Sequence, residues 1–87
     1  MRIKTAPAAA LALVGWYLMV PLARDGQVLD KPLAQWIHLD SYDSATECRD
    51  NGYLFEEKRK KEGDPTKIAS ASAFECIASD DPRLKEK

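Results

Sequence analysis

The stretch Leu11-Ala-Leu-Val-Gly-Trp-Tyr-Leu-Met-Val20 is the richest apolar segment of this 87-residue chain. It lies inside an uncharged run of 19 residues, 5–23, which is closed by Arg24. A helix of that length spans roughly 28 Å, close to the ~30 Å hydrocarbon core of a membrane. Pro21 then ends the helix by removing a backbone donor. The segment therefore predicts an uncleaved transmembrane signal anchor over residues 1–23.

A cleaved signal peptide is the alternative for the same segment, since a basic start, an apolar middle and small residues at the cut define one. Two cuts are available. Ala10-Leu11-Ala12 has the small-x-small form but follows only a short, alanine-rich apolar run. Pro21-Leu22-Ala23 places proline where a small residue is preferred. Both sites are weak, so the sequence favours the anchor and leaves cleavage open.

Charge around the segment predicts its orientation. Short flanks rich in Lys and Arg stay in the cytoplasm, and Arg2 and Lys4 precede the segment without acidic neighbours. The prediction is a single-pass membrane protein with its N-terminus in the cytoplasm and residues 24–87 outside, which means the inner membrane and the periplasm if the host is a bacterium. Three residues are then candidates for the membrane interface: Trp16, Tyr17 and Arg24.

The polar part divides into a linker with a Trp-containing arm, residues 24–41, and a helical region, residues 42–87. Ser44 and Glu47 form a capping box, which predicts a helix from about residue 45 to Glu62, followed by Gly63 as the C-terminal cap. Asp64-Pro65 then predicts the start of a second helix, ending near Ser79. The region is expected to be an antiparallel helical hairpin.

The two cysteines fit this hairpin. Cys48 lies near the start of the first predicted helix and Cys76 near the end of the second, so an antiparallel arrangement brings them together. Outside the cytoplasm such a pair forms a disulfide. Closing a loop of about 28 residues stabilises the fold by roughly 3.6 kcal/mol in the chain-entropy model. The spacing does not fit a C-x-x-C redox motif, and His38 alone cannot complete a metal site with the two thiols.

Catalytic and nucleic-acid functions find little support. The chain has 13 Lys and Arg against 14 Asp and Glu, which argues against a strongly basic nucleic-acid binder. His38 has no nucleophile in a recognisable setting beside it. No calcium-binding or phosphate-binding loop motif is present. Trp36 and Ile37 are the candidates for partner contact, with packing over the hairpin as the alternative for Trp36.

Four blocks of the sequence carry a resemblance to a group of small uncharacterised bacterial exported proteins. The blocks are Gly15-Trp-Tyr-Leu-Met-Val-Pro21, Pro32-Leu-Ala-Gln-Trp36, Tyr42-Asp-Ser-Ala-Thr-Glu-Cys48 and Cys76-Ile-Ala-Ser-Asp-Asp-Pro-Arg-Leu84. In that group the hydrophobic segment often resembles a signal peptide cut before the Gly-Trp pair. The resemblance implies an exported, disulfide-bearing protein and implies no activity.

Together these observations predict a mostly α protein: one N-terminal transmembrane helix and a small antiparallel helical hairpin held by a disulfide. The expected function is non-enzymatic, without cofactor, metal or nucleic acid. The protein is expected to lie in the lipid bilayer as an accessory or structural subunit, docking on a larger membrane protein complex from the periplasmic side. The alternative is a secreted soluble interaction protein, released by signal peptide cleavage.

Overall fold

The computed structural model describes residues 15–85, which form a three-stranded antiparallel sheet, a two-stranded hairpin and two α-helices. The elements follow the order β1 (Trp16–Val20), β2 (Ala23–Arg24), β3 (Gln27–Val28), β4 (Ile37–Tyr42), α1 (Ala45–Glu62), α2 (Pro65–Ser72) and β5 (Glu75–Ala78). Short 3-10 turns cover Leu33–Gln35 and Pro82–Lys85. The predicted fold class, mostly α with a transmembrane helix and a helical hairpin, is therefore wrong.

β1 is the central strand of the sheet, whose order is β4-β1-β5. Helix α1 packs against all three strands on one side. On the other side Met19 forms a buried cluster with Leu33 and Ile77. Leu18, Met19 and Val20 are consequently all buried. A strand covered on both faces is continuously apolar, and periodicity alone does not distinguish such a run from a buried helix.

This arrangement corrects the membrane prediction. Residues 16–20 are extended and hydrogen-bonded on both sides, so a helix cannot run through residues 5–23. Within residues 15–85 no helix combines the length and the apolar character needed to cross a membrane. The predicted single-pass inner-membrane localisation is corrected with it. Residues 1–14, the first part of the predicted anchor, lie outside the described residues.

The segment predicted to be a linker and arm, residues 24–41, contains strands. Asp25 and Gly26 connect β2 to β3 with φ angles of 54° and 81°. Two positive φ values are the signature of a type I′ hairpin turn, for which Asp-Gly is a preferred pair. The Gly26 amide donates a hydrogen bond of 2.9 Å to the Thr66 hydroxyl, which attaches this hairpin to α2.

Helix α1 has the predicted bounds and caps. The Glu47 amide donates to the Ser44 hydroxyl at 3.1 Å, as a capping box requires. Gly63 ends the helix with a φ of 79°. Glu56 and Lys60, one helical turn apart, form an ion pair at 3.6 Å.

Helix α2 begins as predicted but ends early, at Ser72 instead of near Ser79. Residues 75–78 form β5 and pair antiparallel with β1. This pairing gives the backbone groups on the second edge of β1 their hydrogen-bond partners. It also buries Ile77, which is 3% exposed, in the cluster with Met19. These tertiary gains outweigh the local helical preference of an alanine-rich segment.

The Cys48–Cys76 disulfide is confirmed, with the two Cα atoms 6.0 Å apart. It joins the first turn of α1 to β5, and Cys48 is fully buried. The predicted pairing is therefore right, although Cys76 lies in a strand and the hairpin geometry that motivated the pairing is absent.

Candidate functional site

The three residues predicted to lie at a membrane interface are on β1 and β2. Trp16 lines a cavity between α1 and β5. The Tyr17 ring packs on His38, with ring centroids 4.2 Å apart. Arg24 is exposed on β2. Tyr17 thus has a packing role within the fold, whereas Trp16 borders a cavity. A membrane-interface role for the three residues stays a prediction.

The two residues predicted to contact a partner are adjacent in sequence but lie in different surroundings. Trp36 is half-buried against the cluster of Met19, Leu33 and Ile77, and its indole N–H donates to the Lys31 carbonyl at 3.1 Å. Ile37 is 44% exposed and lines a surface groove. A structural role therefore accounts for Trp36, whereas Ile37 is available for contact.

We name this groove, which has a volume of about 380 Å³, the β4 groove. It lies between β4, the residues that follow β1, and the two helices. Its apolar lining consists of Val20, Leu22, Ala23, Ile37, Leu39 and Phe55. Leu39, like Ile37, exposes a large share of its side chain, 37%. The groove is thus an apolar depression open to solvent.

The polar lining of the β4 groove consists of Arg59, Thr66, Lys67 and Ser70. Both hydroxyls are engaged within the fold. Ser70 donates to the Pro21 carbonyl at 2.6 Å, and Thr66 accepts from the Gly26 amide. The lining residues that the structure describes include two cations, Arg59 and Lys67, and no carboxylate. Arg59 is paired with Glu62, which lies beside the lining.

Arg59 is held in place by two contacts. Its guanidinium lies 4.7 Å from the centroid of the Phe55 ring, a cation–π geometry. Its Nη1 donates to the Glu62 carboxylate at 2.7 Å. This hydrogen bond lowers the pKa of Glu62, and the charge of Lys67 contributes in the same direction. These two contacts fix the position of the Arg59 guanidinium at the groove.

A second cavity, of about 430 Å³, lies on the other side of α1 beside the disulfide. Its aromatic lining consists of Trp16, Tyr53 and Phe74, and the last two meet edge to face with centroids 5.2 Å apart. Its charged lining consists of Arg49, Glu56 and Glu75, which mixes both signs. This cavity has no single electrostatic preference.

His38 lies beside Ser41, but the pair is not arranged as base and nucleophile. His38 Nε2 is 3.0 Å from both the Ser41 hydroxyl and the Asp40 carbonyl oxygen. A carbonyl oxygen only accepts, so the Asp40 contact is a hydrogen bond only in the tautomer with the hydrogen on Nε2, and in that tautomer Nε2 cannot take the serine proton. The Asp40 carboxylate accepts from the Ser41 amide and the Tyr42 hydroxyl instead of orienting His38. Burial, followed by the charge of Asp40, raises the pKa of Tyr42.

Within residues 15–85, no three His, Cys, Asp or Glu side chains are placed to hold a metal ion. Sequence reasoning missed the residues that make the β4 groove cationic. Arg59 belongs to a charge run that reads as a solvated helix face, and Lys67 lies on a different helix. The available signal was Phe55, a large apolar residue directly before the charge run at 56–62.

Comparison of the chain with protein-family models, with curated proteins and with solved structures finds no match.

Proposed function

We propose that this chain is a small exported interaction protein, which is released by signal peptide cleavage and acts by binding instead of catalysis. The anchored alternative requires a helix through residues 16–23, which form β1, β2 and their connection. It is therefore set aside.

The observation that carries the proposal is the position of β1. A cut after Ala23 would remove the central strand and destroy the sheet. A cut after Ala12 would retain Gly15, whose carbonyl accepts from the Ser79 amide at 2.9 Å and whose amide donates to the Ser79 hydroxyl at 3.1 Å. Of the two candidate cuts, only the one after Ala12 is compatible with the fold.

The disulfide supports export, because cysteine pairs persist in oxidising compartments. A folded part of this size buries a limited core, and such small domains commonly depend on disulfides. The Cys48–Cys76 bond meets that need by linking α1 to an edge strand of the sheet.

The β4 groove supports a binding role. Ligand sites are concave and largely apolar, with volumes of about 300–1,000 Å³ and a few fixed polar groups. The groove has this size and character, with Arg59 and Lys67 as its charged groups. Ile37, one of the two residues predicted for partner contact, is part of its wall, whereas Trp36, the other, does not line it.

Expression of the full chain in a bacterial host, followed by intact mass measurement, tests the export proposal. The expected product begins at Leu13, lies outside the cytoplasm and has no free thiol. Ala12→Arg should block processing, because the cut requires a small residue there, whereas the matched control Ala23→Arg should be processed normally. A full-length chain with two reduced cysteines, or a product that begins at Arg24, would contradict the proposal.

A further inference from the structure

We propose that the β4 groove binds a single-chain anionic amphiphile, with the hydrocarbon tail on its apolar floor and the carboxylate at the Lys67 ammonium. This inference names the ligand class for the interaction site proposed above, and it rests on that proposal. The observations behind it are the groove's apolar wall, its charge and the shape of its edge strand.

The apolar wall provides a surface for a hydrocarbon tail. Val20 from β1 is 2% exposed and closes the floor, while Ile37 and Leu39 from β4 expose 44% and 37% of their surface along the opening. Phe55 adds an aromatic side chain from α1. An alkyl chain placed here would remove this apolar surface from water, which is the main source of affinity in such sites.

Charge complementarity specifies an anionic head. The chain as a whole has a net charge of −1, yet the described lining of this groove contains two cations and no carboxylate. Arg59 already has Glu62 as a partner. Lys67 is exposed and has no ion-pair partner within residues 15–85. The Lys67 ammonium is therefore the group available to a ligand carboxylate.

The shape of β4 disfavours a peptide strand as the occupant, although β4 is an edge strand. Leu18 pairs with Asp40 and Met19 with His38, so Leu39 is left without a partner on β1 as a bulge. Bulges and charged residues on an edge strand both interrupt the regular ladder that strand addition requires. Leu39, the bulge residue, is also one of the apolar residues that line the groove.

Isothermal titration of the protein recovered from an exporting host with monomeric dodecanoate tests the proposal. Dodecanol has the same tail without the charge, and dodecylammonium has the opposite charge. Dodecanoate should bind most tightly and dodecylammonium most weakly, and raised salt should reduce the preference because it screens exposed charges. Lys67→Gln should weaken dodecanoate binding roughly two- to fivefold and leave dodecanol unchanged. Lys61→Gln, an exposed lysine outside the groove, is the control.

A second pair of variants tests the apolar wall. Ile37→Glu should weaken dodecanoate binding about tenfold or more, because it removes apolar contact and adds a repelling charge. Val28→Glu is the matched control, since Val28 is also 44% exposed but does not line the groove. Far-UV circular dichroism confirms that each variant is folded.

Equal losses in the two glutamate variants, or equal affinity for dodecanoate and dodecylammonium, would overturn the inference. Binding to phosphatidylglycerol vesicles without binding of monomeric dodecanoate would overturn it too, as would binding of an acidic peptide alone. If the protein is processed and disulfide-bonded but does not bind dodecanoate, only the proposed ligand class is contradicted. A protein that is not exported contradicts the proposed function.

Discussion

Gly52→Ala should destabilise the protein, although glycine to alanine in a helix normally stabilises. Gly52 is buried in α1 directly under the Phe74 ring. A Cβ atom added there would lie 2.6 Å from Cδ1 and Cζ of Phe74, and closer still to Cε1. Carbon atoms in contact prefer separations of about 3.5–4.0 Å. The whole ring, and not merely its tip, must therefore move.

The expected magnitude follows from two opposing effects. Alanine gains about 1 kcal/mol over glycine in a helix, whereas overpacking a well-filled site costs about 1–3 kcal/mol. Displacement of Phe74 also disturbs its edge-to-face contact with Tyr53. We expect a net loss of about 1 kcal/mol in the free energy of unfolding.

Urea unfolding followed by circular dichroism, applied to a double-mutant cycle, isolates this contact. In a Phe74→Ala background the clash is gone, so Gly52→Ala should stabilise by about 1 kcal/mol. Phe74→Leu provides a milder background that retains more of the core. If Gly52→Ala stabilises the parent protein as much as it stabilises the Phe74 variants, the close packing of Phe74 on α1 is wrong.

Three further predictions concern the Cys48–Cys76 disulfide, the N-cap of α1 and the ion pair between Arg59 and Glu62. Cys48→Ser should lower the free energy of unfolding, measured by urea titration, by up to about 3.6 kcal/mol. An unchanged midpoint of the unfolding transition would show that the disulfide does not stabilise the fold. Ser44→Ala should lower the free energy of unfolding by about 1 kcal/mol, because it removes the N-cap of α1. Ser72→Ala is the control, since Ser72 is an exposed serine that does not cap the N-terminus of a helix. Arg59→Gln should raise the pKa of Glu62 in an NMR titration, because Arg59 is the main cause of its depression. The Arg59–Glu62 ion pair stabilises the folded state at pH values above the unfolded-state pKa of Glu62, about 4.3. This stabilisation is lost as the pH falls through the lower pKa that Glu62 has in the folded state. A Glu62 titration that Arg59→Gln leaves unchanged would contradict the prediction.

Local signals in the sequence were enough to predict α1 and the start of α2. Ser44 and Asp64 each cap a helix through bonds that span only two or three residues, so their signature is complete within a short window. The Asp25-Gly26 turn is equally local and was available as a hairpin signal, but its flanking strands have only two residues each. The disulfide was predicted from the expected compartment and from an antiparallel helical hairpin, and the pairing is right although Cys76 lies in a strand.

Strands β1 and β5 depend on information that no local window contains. The apolar run at residues 16–20 fits a membrane helix and a doubly covered strand equally well, and the choice is made by β4 and β5 pairing on either side. Residues 75–78 are likewise fixed by pairing with β1 and not by their own preference. The β4 groove is even harder to predict from a local stretch of sequence, because its walls come from strands and two helices that meet only after folding.

The most direct test of this account is whether residues 16–20 form the central strand of a sheet. NMR of the folded protein should show cross-strand contacts between Leu18 and Cys76 and between Trp16 and Ala78, together with contacts from Trp16 to Tyr42 on the opposite edge. Medium-range helical contacts through residues 16–20, without any contact to β4 or β5, would contradict the fold and everything inferred from it.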